Sequence, residues 1–322
     1  MPDIITVSTG TAGTAGSTAA ELITYMSATM LDVAERNTIL KQFGEAHPLP
    51  ENSSKTIRFT RMEKFAVDST PVQLTEGIPP EAQGLTINQV EATTEQYGFL
   101  VRISDLAELT AAHNIVQRTL YVLGLHSAEI YDQLIFNVVK DGTTVYLPNA
   151  RAAVTSLVAS DQMGYNDLVQ LNANLMDNGA RPMDGNMFVY VVPPQVHASL
   201  QRDSDWKASH QLRDPEAIFR GEVGALSNLS VVVSNAPAFA SQAQSTTLKT
   251  NKWYYGFAIG RQAYAITDLQ GLRVYTIAPG GHEDPLYQNR KISYKFAFKA
   301  TILNNDWIIV TKSSGANSVN NP

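Results

Sequence analysis

The sequence predicts an α+β chain, and three stretches predict it: a long helical stripe, a clean alternating strand near the end, and an acidic segment with no core between two strands. In the stripe, Leu106, Leu109, His113, Val116, Leu120, Leu123, Ser127, Ile130, Leu134 and Val138 recur at spacings of three and four. That is one face of a helix. Asp105 followed by Glu108 is an acidic variant of a capping box, Asp141-Gly142 supplies the stop, and no proline intervenes. A single helix over residues 105–140 rises about 50 Å at 1.5 Å per residue. The mean globular helix is only about 11–12 residues, so this one reads as a spine. Glu108, Arg118, His126, Glu129 and Asp132 interrupt it and argue against a membrane span. Gly124 and an irregular stripe argue against a coiled coil.

In chain order, residues 1–20 are mostly Thr, Gly, Ala and Ser and read as a flexible arm. Gly10, Gly13 and Gly16 lack the Gly-Lys-Ser/Thr and the strand-to-helix context of a phosphate loop. An amphipathic helix follows, with Leu22, Met26, Met30, Val33, Ile39 and Leu40 on its apolar face, and Gly44 ends it. His47-Pro48-Leu49-Pro50 then forces extended chain.

Ile57 and Phe59 alternate with Thr56, Arg58 and Thr60 as in a strand. Residues 66–97 contain no lysine or arginine, but carry Asp68, Glu76, Glu81, Glu91 and Glu95. Pro71, Gly77, Pro79, Pro80 and Gly84 punctuate them. Strand character resumes at "YGFLVRISD" and enters the long helix. So acidic and core-poor a loop cannot fold alone, and long loops in compact domains are usually functional. An arm that folds against a neighbouring chain accounts for it; a surface loop without structure is the alternative.

A second helix runs from Tyr165 or Asn166 to Met176, with Asn178-Gly179 as its stop. From Met187 the pattern becomes short apolar strands, "MFVYVV", "LSVVVS" and "WYYGFAIG", with a helix starting at Pro194. Strands this apolar are buried on both faces. Ile292, Tyr294, Phe296, Phe298, Ala300 and Ile302 form the alternating strand. Asn304-Asn305-Asp306 turns it, Trp307 to Val310 returns as its partner, and a polar tail begins at Ser313.

The net charge of −6 and the absence of cysteine narrow the function classes. A dedicated nucleic-acid reader would carry a basic face. Disulfides, thiol catalysis and cysteine-ligated zinc are excluded. The N-terminus shows no signal peptide, so a cytosol, or a particle made there, is the expected compartment. Asp203, Asp205, His210 and Asp214 form a compact cluster of metal-ligand types, but their spacing matches no motif and Arg202, Lys207 and Arg213 neutralise it. His282 in "GGHED" has no orienting partner in view. No nucleophile elbow, Walker motif or His-Glu-x-x-His is present. The expectation is a structural protein: no catalytic residue, cofactor or metal.

The order of parts, together with "TEGIPPEAQGLTINQVEATTEQYGFLVRISDLAEL", "NMFVYVVPPQVHASLQRDSDW", "GEVGALSNLSVVVSNAP" and "YYGFAIGRQAYAITDLQG", resembles the major capsid proteins of tailed bacteriophages, whose fold the herpesvirus shell shares. More narrowly it resembles the N4-type major capsid family. The resemblance implies an N-terminal arm and helix (1–45), an extended two-stranded loop across an adjacent subunit (46–103), and a peripheral domain with the spine (104–180 plus 271–312). It also implies an axial domain (181–270) and a polar tail (313–322). It implies hexamers and pentamers in an icosahedral shell around double-stranded DNA held without sequence-specific binding, assembled in a host cytoplasm with no membrane. Implied partners are the chain itself, a portal protein, and scaffold or decoration proteins.

Some relatives join the loop to a neighbour through a lysine–asparagine isopeptide; with no lysine in residues 66–97, none is expected from this loop tip. Candidate inter-subunit contacts pair the acidic Glu76, Glu81 and Glu91 with basic groups of a neighbour: Arg36 and Lys41, or Arg290, Lys291, Lys295 and Lys299. An encapsulin-type compartment around a cargo enzyme, or a soluble α+β enzyme, are the alternatives.

Overall fold

The computed structural model describes residues 30, 34, 38–50, 54–62, 76–77, 84–111, 114–158, 160–183, 187–204, 225–226, 228–235, 242–243, 252–280 and 284–315. The expected arm, most of the first helix and the acidic loop, the block beyond Ser204 and the end of the tail lie outside them. The chain divides into two compact units: Met1–Thr38, Gln96–Tyr131 and Gly271–Phe296, and the remainder.

In the first unit, strand β4 (Glu95–Ser104) leads into two helices, α1 (Asp105–Thr110) and α2 (Ile115–Val139), of which α2 belongs to the second unit from Asp132 on. The single rod expected over residues 105–140 is therefore broken. Ala111 is extended at φ −68°, ψ 125°, and Asn114 restarts the helix by accepting the Gln117 N–H on its side chain at 3.2 Å. The start is capped by Ser104, whose hydroxyl accepts the Ala107 N–H at 3.3 Å, and not by the Asp105–Glu108 pair. Leu106 and Leu109, expected on the core face, are 67% and 82% exposed. The 25 residues of α2 still make a long helix. Strands β11 (Tyr264–Ile277), β12 (Asn289–Ile302) and β4 are neighbours in that order, and this unit takes β11 from Gly271 and β12 as far as Phe296. Tyr131 stacks on Phe296 with centroids 4.1 Å apart, and Tyr97 covers Phe296 from β4 at 5.5 Å. The Tyr294 hydroxyl meets His126 Nδ1 at 2.7 Å.

The second unit is built on a seven-stranded sheet. Its strands are β5 (Val145–Tyr146), β6 (Phe188–Val192), β7 (Ala225–Leu226), β8 (Leu229–Val233), β9 (Gln242–Ala243), β10 (Lys252–Ile259) and β13 (Ile308–Ser314). The order is β5-β13-β10-β6-β8-β7, with β9 on β10. Two further helices are α3 (Tyr165–Asp177) and α4 (Pro194–Arg202). β6 and β8 pair in parallel with α4 between them in sequence.

Every residue of β6 is buried, as its continuous apolar run requires. Phe188, Tyr190 and Val192 join Leu168, Leu171 and Leu175 of α3, Val196 and Leu200 of α4, and Ala258 of β10 in one core. The alternate face of β10 meets the second half of α2, where Phe136 packs edge-on against Phe257 and Tyr255. Period-two alternation puts these contacts on opposite faces, so the sheet is covered on both sides.

The return strand expected beside β12 instead enters this sheet. β13 pairs antiparallel with β10 and parallel with β5. Ile308 to Thr311 are all buried, and a strand apolar on both faces belongs in a sheet covered twice. It continues through Ser313 and Ser314, opposite Tyr254 and Trp253, where the sequence suggested a tail.

Two smaller pieces complete this unit. β1 (Glu45–Ala46) pairs in parallel with Ala265 and Ile266, in the first half of β11, which belongs to this unit. β2 (Thr56–Met62) and β3 (Ile87–Thr93) form a two-stranded antiparallel sheet of their own. The partner of β2 is thus β3, not the "YGFLVRISD" strand, which is β4.

Candidate assembly surfaces

The β2–β3 ribbon holds the ends of the acidic segment. Its register sets Thr56 opposite Thr93 and Met62 opposite Ile87. Arg58 and Glu91, directly opposite, form a 2.6 Å ion pair, and the Thr56 and Thr93 hydroxyls meet at 2.9 Å. Cross-strand pairs of this kind contribute about 0.2–1 kcal/mol each. Among the side chains of the ribbon, only Ala92 is fully buried, and Met62 and Ile87 are 66% and 50% exposed. An isolated two-stranded ribbon is marginally stable in water.

The predicted contact residues distribute as follows. Glu76 is exposed in a turn beside Gly77, whose φ is +83°. Glu81 and Arg36 lie outside the described residues. Glu91 is committed to Arg58 in its own ribbon. Lys41 reaches Asp268 at 3.5 Å, Lys299 reaches Glu95 at 3.6 Å, and Arg290 reaches Glu108 at 3.1 Å. Lys295 lines a shallow groove with Tyr97, Phe99 and Tyr275. Partly exposed pairs contribute roughly 0–1 kcal/mol, little enough for a competing carboxylate to exchange into them.

Among the described residues, no His, Asp and Glu side chains gather into a group of three that could hold a metal. Asp203, from the candidate cluster, accepts the Tyr165 N–H at 2.7 Å and so starts α3; its former companions and His282 lie outside the described residues. Asp161 is fully buried and does structural work. Burial pushes its carboxyl up, but hydrogen bonds from Asn149, the Val158 N–H and Arg151 outweigh that and hold it below the ordinary value. No helix among the described residues is long and apolar enough to cross a membrane.

The described residues also carry a second kind of surface. Exposed large apolar side chains concentrate in the first unit. Phe99, Leu100, Leu106, Leu109, Tyr121, Val122, Tyr275, Ile277, Leu286 and Tyr287 are all more than 40% exposed. The signal was present as leucines on a helix, but the pattern alone assigned them to an interior.

Comparison with known proteins gives these surfaces a context. A family model described as "Phage capsid protein" matches residues 87–313. No curated protein matches the chain in sequence. Among solved structures, the fold is similar to the capsid of Ralstonia phage GP4, with a TM-score of 0.64 and 15% identity over 89% of this chain and 93% of that one. It is similar to the capsid of cyanophage P-SCSP1u, at 0.61 and 15% over 85% and 87% of the two chains. A virus-like particle from Pyrococcus furiosus matches at 0.54 and 12%, over 90% and 99%.

Proposed function

This chain belongs to the phage capsid protein family, the structural and non-enzymatic proteins of the icosahedral virion shell, and we propose that it builds that shell as hexamers and pentamers around a double-stranded DNA genome. The proposal places it in the N4-type branch. Residues 46–103 form the extended loop that reaches across an adjacent subunit, residues 104–180 with 271–312 form the peripheral domain, and residues 181–270 form the axial domain. Besides itself, its partners are a portal protein and scaffold or decoration proteins.

The observation that carries this reading is the β2–β3 ribbon. It forms a sheet of two strands and buries almost none of its own side chains. A neighbour supplies the surface that it lacks. Each such contact is weak, and many per subunit make a closed shell persist. The acidic residues 66–97 approach a basic surface on that neighbour, drawn from Arg36, Lys41, Arg290, Lys291, Lys295 and Lys299. A chain of net charge −6 suits a container that does not grip its genome, because tight binding to DNA rests on phosphate neutralisation.

Electron microscopy of particles from phage-producing cells, with nuclease digestion and extraction of their contents, tests the proposal. Closed shells that protect DNA are expected. Shells containing a cargo enzyme would favour a cellular compartment, and a small oligomer without shells would contradict the proposal.

A further inference from the structure

The chain passes from the first unit into the second at Ile39, at Asp132 and at Ala297, and hydrogen bonds join the first two of these points. The Asp132 carboxylate, on α2, accepts the Ile39 N–H at 3.0 Å and the Leu40 N–H at 3.1 Å. These groups begin the 3-10 turn Leu40–Phe43, which has no side-chain cap from its own first residue. A residue more than ninety positions away in sequence serves as its cap. The Asp132 carboxyl is buried and has no cation partner among the described residues.

The groups around it do not neutralise it. Tyr264 of β11 is buried and donates its hydroxyl to the Leu40 carbonyl; burial, and then the nearby Asp132, keep that hydroxyl protonated. The Lys41 ammonium, on the turn itself, reaches Asp268 at 3.5 Å. Glu129, one turn back on α2, is exposed. A few residues downstream the same segment is held by bonds of another kind. The N–H groups of His47 and Leu49 donate to the carbonyls of Ile266 and Asp268 on β11 at 2.8 and 2.9 Å. Gly44 lies so close to β11 that a Cβ there would overlap the Ile266 side chain. None of these downstream contacts uses an ionisable side chain.

We propose that Asp132 is a proton-operated lock on residues 39–41: protonated, it holds them closed onto α2, and ionised, it lets them open. A buried carboxylate with only N–H groups for partners carries a desolvation cost, and local opening returns it to water. Burial accordingly pushes its pKa from 3.8 to about 6, against the N–H groups that favour the charged form. The closed segment therefore binds the proton more tightly than the open one. Below pH 3.8 the lock is fully set; opening grows about tenfold per pH unit from there to about 6 and levels off above. The lock acts where residues 1–38 lead into the second unit, so acid fixes that junction and neutral pH loosens it.

Amide hydrogen exchange of the full chain at pH 4 and pH 7, resolved to single residues by mass spectrometry and corrected for intrinsic rates, tests this. Opening at Ile39 and Leu40 is expected to rise about 50-fold between the two conditions, while His47 and Leu49 do not follow. Asp132→Asn, which takes up no proton, is expected to abolish the rise. Opening at Ile39 and Leu40 that ignores pH, an equal rise at His47 and Leu49, or a rise that persists in Asp132→Asn would each overturn the inference. Should that variant not fold, the contrast between the two pairs of amides in the wild type decides the matter. The measurement makes no use of particles, so either result leaves the capsid reading standing.

Discussion

Asp132 is a carboxylate in surroundings that its type rarely takes. It lies on α2, 1% exposed. Its carboxylate accepts the backbone N–H groups of Ile39 at 3.0 Å and Leu40 at 3.1 Å, at the start of the single turn Leu40–Phe43. Burial pushes its pKa from 3.8 to about 6, against those N–H groups, which favour the charged form. Since the folded pKa is the higher one, the native state holds the proton more tightly than the unfolded chain. The stability that the protonated form contributes is present below pH 3.8 and is lost as pH rises through about 6. A shift of this size corresponds to about 3 kcal/mol. Urea titrations of the wild type and Asp132→Asn between pH 3.5 and 7 should therefore show their stability difference drifting by up to that amount, with the wild type losing ground as pH rises. A pH-independent difference would show that the carboxylate is not shifted.

Gly256 gives a second residue-scale expectation. Tyr190 and Thr311 hydrogen-bond at 2.8 Å across its position on β10, and a Cβ there would lie 2.9 Å from the Tyr190 hydroxyl. Gly256→Ala should cost roughly 1–3 kcal/mol by overpacking, read as a lower denaturation midpoint. An unchanged midpoint would mean that the core yields more easily than its closeness suggests.

Among the elements, those set by local pattern were legible in the sequence. β6, β8 and β10 announced themselves by continuous apolar runs, α3 by its leucines and its Asn178-Gly179 stop, and α4 by Pro194. What was not legible depended on distant partners. β13 looks like a hairpin return from β12, and only burial on both faces sends it to β10. β3 is polar at most positions, so nothing but its pairing with β2 marks it as the ribbon's second strand. The break in the long helix had a signal, Asn114 followed by Gln117, but two alanines and an unbroken stripe masked it. Asp132 could not be read as a cap, because the N–H groups that it serves are more than ninety residues away in sequence.

Of the candidate contacts, Lys41, Lys299 and Arg290 proved to have partners in their own chain, and Glu91 to be half of a cross-strand pair. If the acidic segment steers docking, reversing Glu76 and Glu81 together to lysine should lower particle yield several-fold at physiological salt. Equal yields would place the docking energy elsewhere. Denaturing electrophoresis of particles should show single subunits, since residues 66–97 contain no lysine to form an isopeptide. A ladder of linked subunits would contradict that.

For the molecule as a whole, one unit has a sheet covered on both sides, while, among the described residues, its ribbon and several large apolar side chains of the other unit are exposed. The proposal leaves the ribbon to be covered by neighbouring copies. The measurement that bears most directly on this is amide hydrogen exchange in residues 56–62 and 87–93, compared between free subunits and assembled particles. Fast exchange in the subunit and strong protection in the particle are predicted. Strong protection already present in the free subunit would contradict the claim that copies of the chain complete its fold.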